Sequence, residues 1–87
     1  MMTGPQLRAA RALLNLDRSS LAELAGLSVP TIQRMEAAQG VVGGNVESLM
    51  KVVNALQSAG IALIGDDDVS QGGGRGVRFV TPNPAQE

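Results

Sequence analysis

The chain has 87 residues, a net charge of −1 and one aromatic residue, Phe79. A chain of this length forms one small domain, and here aliphatic side chains must build its core. It has no cysteine and no histidine, which excludes disulfides, thiolate metal sites and the commonest general base. We therefore predict that the protein is not an enzyme and uses neither a metal nor a cofactor.

The charge is distributed unevenly along the chain. Residues 1–60 carry five basic and four acidic side chains, whereas residues 61–87 carry two basic and four acidic ones. Nucleic-acid-binding domains are usually basic, so we expect only weak long-range attraction to such a partner. No apolar run approaches the roughly 20 residues that cross a bilayer, and the N-terminus lacks a signal-peptide layout. These features predict a cytoplasmic protein without membrane contact.

The first half of the chain predicts three short helices. Thr3, Asp17 and Ser28 are suitable N-caps, Gly26 ends the second helix, and Pro30 fits the first turn of the third. Apolar residues recur at three- and four-residue spacing within these segments. Those of the first two helices are Leu7, Ala10, Leu13 and Leu14, then Leu21, Ala22, Leu24 and Ala25.

The second half predicts one more helix and two strands. A glycine-rich loop at 39–44 precedes a helix that Asn45 caps and Gly60 ends. Its apolar residues are Val46, Leu49, Met50, Val53 and Leu56. Short strands follow at 61–64 and 77–80. We therefore divide the chain into a helical domain at 1–60, a β segment at 61–81 and a flexible tail at 82–87.

The polar segment between the two strands contains two features that suggest ligand sites at first sight. The glycine-rich run at 72–76 is not followed by a helix and lacks the spacing of a phosphate-binding loop. Asp66, Asp67 and Asp68 are consecutive and do not share one face. We predict a flexible turn and solvated carboxylates, and no metal site.

Two short helices joined by a glycine-containing turn at 17–38 form a helix-turn-helix arrangement. Three segments are distinctive: Leu-Arg-Ala-Ala-Arg at 7–11, Leu-Ala-Glu-Leu-Ala-Gly-Leu-Ser at 21–28 and Thr-Ile-Gln-Arg-Met-Glu at 31–36. With them the chain resembles the phage-repressor-like helix-turn-helix family, the XRE or Cro/C1 type, over residues 5–58. The resemblance implies a mainly α, four-helix, lambda-repressor-like domain that binds double-stranded DNA, here followed by a short two-stranded β segment.

The third helix has the two faces that a DNA-reading helix needs. Ile32 and Met35 lie three residues apart and form an apolar flank that holds the helix. An arginine can bind guanine through two hydrogen bonds and a glutamine can bind adenine, while methyl groups contact thymine. The residues predicted to read the major groove are Val29, Thr31, Gln33 and Arg34. The alternative interpretation is that these residues are simply exposed.

The resemblance also implies roles for individual residues. The positions that face DNA in similar proteins are Arg18, Val29, Pro30 and Arg34. Arg18 would contact a phosphate, although a small polar residue or glutamine is commoner there. Backbone amides at the helix starts, including the one capped by Ser28, are further phosphate sites. Arg11 and Glu36 occupy positions that pair across the first and third helices; the alternative is two independent surface charges.

The resemblance and the symmetry of DNA together favour a homodimer. One recognition helix contacts too few bases, so half-sites are read by two-fold dimers. The apolar strand residues predicted to form the dimer contact are Ile61, Leu63, Ile64, Val77, Phe79 and Val80. The alternative is a hairpin folded onto its own fourth helix.

We predict a transcriptional regulator, a dimeric repressor acting on a palindromic operator. An antitoxin-like protein that also binds a protein partner is one alternative. A protein-interaction module of the same fold that has lost DNA binding is another.

Overall fold

The computed structural model describes residues 2–65 and 72–80. The elements follow in the order α1 (Gly4–Leu13), α2 (Arg18–Ala25), α3 (Val29–Ala37), α4 (Val46–Ser58), β1 (Ile61–Ile64) and β2 (Gly76–Phe79). The predicted fold class, four helices followed by a two-stranded sheet, is confirmed. The predicted turn at Asp66–Asp68 and the predicted tail at 82–87 lie outside the described residues.

Each helix begins after the cap that the sequence predicts. The four N-caps are Thr3, Asp17, Ser28 and Asn45. In each, the side-chain oxygen accepts a hydrogen bond from a backbone N–H in the first turn, which satisfies a donor that the helix itself leaves unpaired. At Thr3 the bond is reciprocal, because the Gln6 side chain accepts from the Thr3 N–H at 2.9 Å. The helix starts are therefore fixed by local chemistry.

One core joins the four helices and β1, and the half-buried Val77 and Phe79 of β2 pack against it. Its buried residues are Met2, Leu7, Ala10, Leu21, Ala22, Ala25, Ile32, Met35, Val42, Leu49, Val52, Val53, Leu56 and Ile61. Leu24 and Val46, which the helical spacing placed on apolar faces, are instead 58% and 67% exposed. The buried face of α2 is centred on Leu21, Ala22 and Ala25, which turns Leu24 to its margin. Val46 is the first residue of α4 and precedes the part that packs.

The segment before α1 is tied to the loop that follows α3. Met2 is fully buried, and its carbonyl accepts from the Val42 N–H at 2.8 Å. The Gly4 N–H donates to the Gly40 carbonyl at 3.3 Å. A Cβ at Gly4 would lie 2.0 Å from the Ala38 carbonyl oxygen. The start of α1 therefore runs directly against the end of α3, and only glycine fits there.

The two strands pair with each other within the chain. They are antiparallel, with Ile61 opposite Phe79 and Ile64 opposite Gly76, and they pack on α1 and α4. The Gln6 side-chain amide donates to the carbonyls of Ile64 and Gly76, both at 2.9 Å. This is the hairpin alternative, with α1 as a second support. Ile61 is fully buried in the chain's own core and has no surface left for a second chain.

The close approach at Gly4 gives a stability prediction. In Gly4→Ala the new methyl group meets backbone oxygens that cannot rotate away, so we expect the free energy of unfolding to fall by about 1–3 kcal/mol. Gly43→Ala is the matched control, since its Cβ would meet no atom within 4 Å, and it should change stability by less than about 0.5 kcal/mol. Urea unfolding followed by circular dichroism measures both. Equal stability of the two variants would contradict the contact.

Candidate nucleic-acid interface

The turn between α2 and α3 is short and closed by backbone hydrogen bonds. Gly26 has φ of 69°, a left-handed conformation that suits glycine. The N–H groups of Gly26 and Leu27 donate to the carbonyls of Glu23 and Ala22 at 3.2 and 2.9 Å. Ser28 then caps α3. This is the helix-turn-helix unit that the sequence predicts, in which one compact turn joins α2 to α3.

The third helix is held by one flank and exposed on the other. Ile32 and Met35 are 0% and 2% exposed and lie in the core. Gln33 and Arg34 are both exposed. The side chains with the hydrogen-bonding groups suited to base edges therefore face solvent, while the apolar flank fixes the helix on the domain.

The other predicted reading residues differ in their availability. Ser28 and Pro30 are exposed at the start of α3. The Ser28 hydroxyl bonds the Thr31 hydroxyl at 2.9 Å, and Thr31 is half-buried. Val29 is half-buried and packs against the core. The methyl groups of Val29 and Thr31 are therefore less accessible than Gln33 and Arg34.

Arg11 and Glu36 are in contact, and the pair has a third member. The Glu36 carboxylate, 1% exposed, accepts from Arg11 Nε at 2.7 Å and from Arg11 Nη2 at 3.2 Å. Its Oε1 also accepts from Arg18 Nε at 3.0 Å. The contact between Arg18 and Glu36 was not predicted. No local pattern signals it, because Arg18 and Glu36 lie on different helices, 18 residues apart.

A second arginine of α1 holds the end of α3. Arg8 Nη1 donates to the backbone carbonyl of Glu36, which lies in the last turn, where the helix leaves its carbonyls unpaired. Arg11 also donates to the Leu16 carbonyl at 3.1 Å. Two arginines one helical turn apart on α1 thus fix both the side chain and the backbone of Glu36.

These contacts change the acidity of the groups concerned. Burial by itself raises the pKa of Glu36, but hydrogen bonds from Arg11 and Arg18, with their charges, outweigh it and place the pKa below the ordinary value of 4.5. The hydrogen bond to Glu36 raises the pKa of Arg11. Hydrogen bonds from Ser20 lower the pKa of Asp17. Each of these groups is therefore charged at neutral pH.

The lowered pKa of Glu36 predicts a loss of stability in acid. A carboxylate whose pKa is lower in the folded state stabilises the protein above its unfolded pKa, and this stabilisation disappears as the pH falls through the folded pKa. Glu36→Gln should lower the free energy of unfolding at pH 7 by about 3–5 kcal/mol and weaken the acid dependence below pH 4.5.

Urea unfolding at pH 7, 4 and 3 measures this dependence. Glu23→Gln is the control, because Glu23 is exposed on α2 and its loss should change little. If wild type and Glu36→Gln lost the same stability between pH 7 and pH 3, the carboxylate would not be responsible.

Two further observations apply to residues 2–65 and 72–80. No helix there has the length and apolarity needed to span a membrane. The same residues contain no cluster of three or more carboxylates that would hold a metal ion.

Comparison with known proteins agrees with the geometry. A family model described as helix-turn-helix matches residues 7–58, from within α1 to the last residue of α4. A comparison with curated proteins finds no match. The matched range is more than half of the chain and contains the whole α2–turn–α3 unit. The chain therefore belongs to the XRE, or Cro/C1-type, family of helix-turn-helix DNA-binding regulators.

Proposed function

We propose that the protein is a sequence-specific transcriptional regulator that acts in the cytoplasm and reads the major groove of duplex DNA with α3. The observation that supports this most directly is the orientation of α3. Its apolar flank is buried through Ile32 and Met35, whereas Gln33 and Arg34 are exposed. A helix held in this way can enter the groove without losing its packing on the domain.

Specificity in this proposal comes mainly from two side chains. The Arg34 guanidinium has the geometry to donate two hydrogen bonds to guanine, and the Gln33 amide suits adenine. Ser28 and Pro30 lie at the exposed start of α3 and approach the sugar–phosphate backbone of the DNA. The half-buried Val29 and Thr31 contribute methyl contacts of smaller area. Arg18, at the start of α2, grips a phosphate.

A near-neutral protein must obtain its affinity from well-placed contacts. The helical part has only one more basic than acidic side chain, so the long-range field is weak. Unpaired backbone amides at helix starts hold phosphates without adding net charge. We therefore expect modest non-specific affinity and a larger share of binding from base contacts.

We further propose that two copies bind a palindromic operator and repress transcription. A two-fold dimer places two recognition helices on successive turns of the same face of the duplex. The hairpin provides the surface for this contact. Val80 is 56% exposed, and the half-buried apolar residues beside it are Leu63, Ile64, Val77 and Phe79.

The base-reading role of Arg34 is tested by alanine substitution. Selection of bound sites from random duplexes first provides the operator. Arg34→Ala should then lower affinity for it by about 1–3 kcal/mol and relax the preference at one base pair. Lys51→Ala, which removes an exposed basic side chain from α4, is the control. Unchanged affinity of Arg34→Ala in a gel-shift titration would remove Arg34 from the interface.

The dimer is tested by mass and by the symmetry of the operator. Sedimentation should give twice the mass of one chain, and the selected site should contain inverted half-sites about 34 Å, one helical turn, apart. Val80→Asp introduces a charge into the exposed part of the hairpin and should shift the protein towards the monomer. A monomeric wild type that selects a single half-site would contradict the dimer.

A further inference from the structure

The buried carboxylate of Glu36 has one arginine more than it needs. Arg11 alone supplies two hydrogen bonds to it, at 2.7 and 3.2 Å, and one positive charge that balances it. Arg18 adds a third bond at 3.0 Å. The cluster of Arg11, Arg18 and Glu36 therefore has an excess of one positive charge. Because the Arg18 side chain is 43% exposed and that of Arg11 only 23%, the excess charge is most accessible on Arg18.

The contact uses only one edge of the Arg18 guanidinium. Its Nε donates to Glu36, and neither Nη has a hydrogen-bond partner among residues 2–65 and 72–80. A guanidinium held at Nε still presents its two Nη groups as a fork, and this fork matches two oxygens of one phosphate. Arg18 is thus fixed on the protein side and has donors left for a ligand.

The start of α2 needs such a group if it is to approach an anion. Asp17, its N-cap, places a negative charge there and occupies the Ser20 N–H at 2.7 Å. That charge opposes the attraction between a phosphate and the helix dipole. The Arg18 guanidinium, next to Asp17 in the chain, supplies the compensating positive charge.

We propose that Glu36 is a positioning residue for DNA binding: it holds Arg18 at Nε so that the two Nη groups grip a backbone phosphate at the start of α2. The inference rests on the proposed function and adds a mechanism to it. Since Glu36 is part of α3, its carboxylate connects the phosphate-binding Arg18 of α2 to the helix that reads the bases. The position requires an arginine, because the single nitrogen of lysine lacks the geometry to bind carboxylate and phosphate in the same way.

A charge-conserving substitution tests this requirement. Dissociation constants of wild type, Arg18→Lys and Arg18→Gln are measured over a series of salt concentrations, on the selected operator and on an unrelated duplex. We expect Arg18→Lys to weaken binding to both duplexes roughly five- to twentyfold, nearly as much as Arg18→Gln. The salt slope of Arg18→Gln should be smaller by about 0.9. Lys51→Arg, the reverse exchange at an exposed position of α4, should match wild type.

The role of Glu36 is tested in combination with the same substitution. In a Glu36→Gln background the negative charge that holds Arg18 is gone, so Arg18→Lys should weaken DNA binding less than twofold there. Two residues that act independently would not show this non-additivity. In DNA-free protein, the Arg18 Nε–H resonance should exchange with water faster in Glu36→Gln than in wild type. If Glu36→Gln fails to fold, the exchange of the Arg18 Nε–H with water in wild type is compared with that of the exposed Arg34: slower exchange at Arg18 supports the positioning, and equal exchange overturns it.

The outcomes separate the inference from the function on which it rests. A wild-type protein that binds no duplex, even at low salt, overturns the proposed function and the inference with it. A wild-type protein that binds, with Arg18→Lys equal to it in affinity and salt slope, overturns the inference alone. If Arg18→Lys weakens DNA binding equally with and without the Glu36 carboxylate, Arg18 acts as an independent surface charge. That result also overturns the inference.

Discussion

The burial of one carboxylate, that of Glu36, is the interaction on which the geometry of the domain depends. A buried charge is tolerated only when it is paired and hydrogen-bonded. Here the partners come from α1 and α2, while Glu36 itself belongs to α3. Satisfying this one group therefore fixes three helices relative to one another. Arg8 adds a bond to the Glu36 backbone, so the end of α3 is held at both its side chain and its main chain.

The second constraint is the close contact between the start of α1 and the loop after α3. Gly4 lies against the Ala38 carbonyl, and Met2 lies in the core with Val42. Gln6, in the first turn of α1, donates to two backbone carbonyls of the hairpin. α1 thus connects α3 to the β segment. The chain has no disulfides and only a small aliphatic core, so these polar and steric contacts help to fix how its elements pack.

The same arrangement engages most of the positive charge in the helical part of a chain whose net charge is −1. Family membership makes this a DNA-binding regulator, yet little of its charge is free to attract DNA from a distance. Two of the five basic residues in the helical part are bound to Glu36, and a third to its carbonyl. Arg34 remains exposed on α3. Positive charge is therefore used for positioning as well as for attraction.

The helix ends, the turn between α2 and α3 and the two flanks of α3 are determined by sequence patterns only a few residues long. The caps at Thr3, Asp17, Ser28 and Asn45, and the left-handed turn at Gly26, were predictable because their hydrogen bonds span two to five residues. The two flanks of α3 followed from helical periodicity, and the resemblance pointed to the pairing of Arg11 with Glu36. These features predicted the helix-turn-helix unit and the exposed positions of Gln33 and Arg34.

Only the tertiary structure decided how the distant parts of the chain meet. It brought Arg18 to Glu36, buried Met2 and Val42, exposed Leu24 and Val46, and paired β1 with β2 on α1 and α4. Periodicity indicates which side of an element is apolar, but the neighbour that covers that side depends on how all the elements pack together. The choice of partner is a property of the whole fold, which a local pattern does not contain.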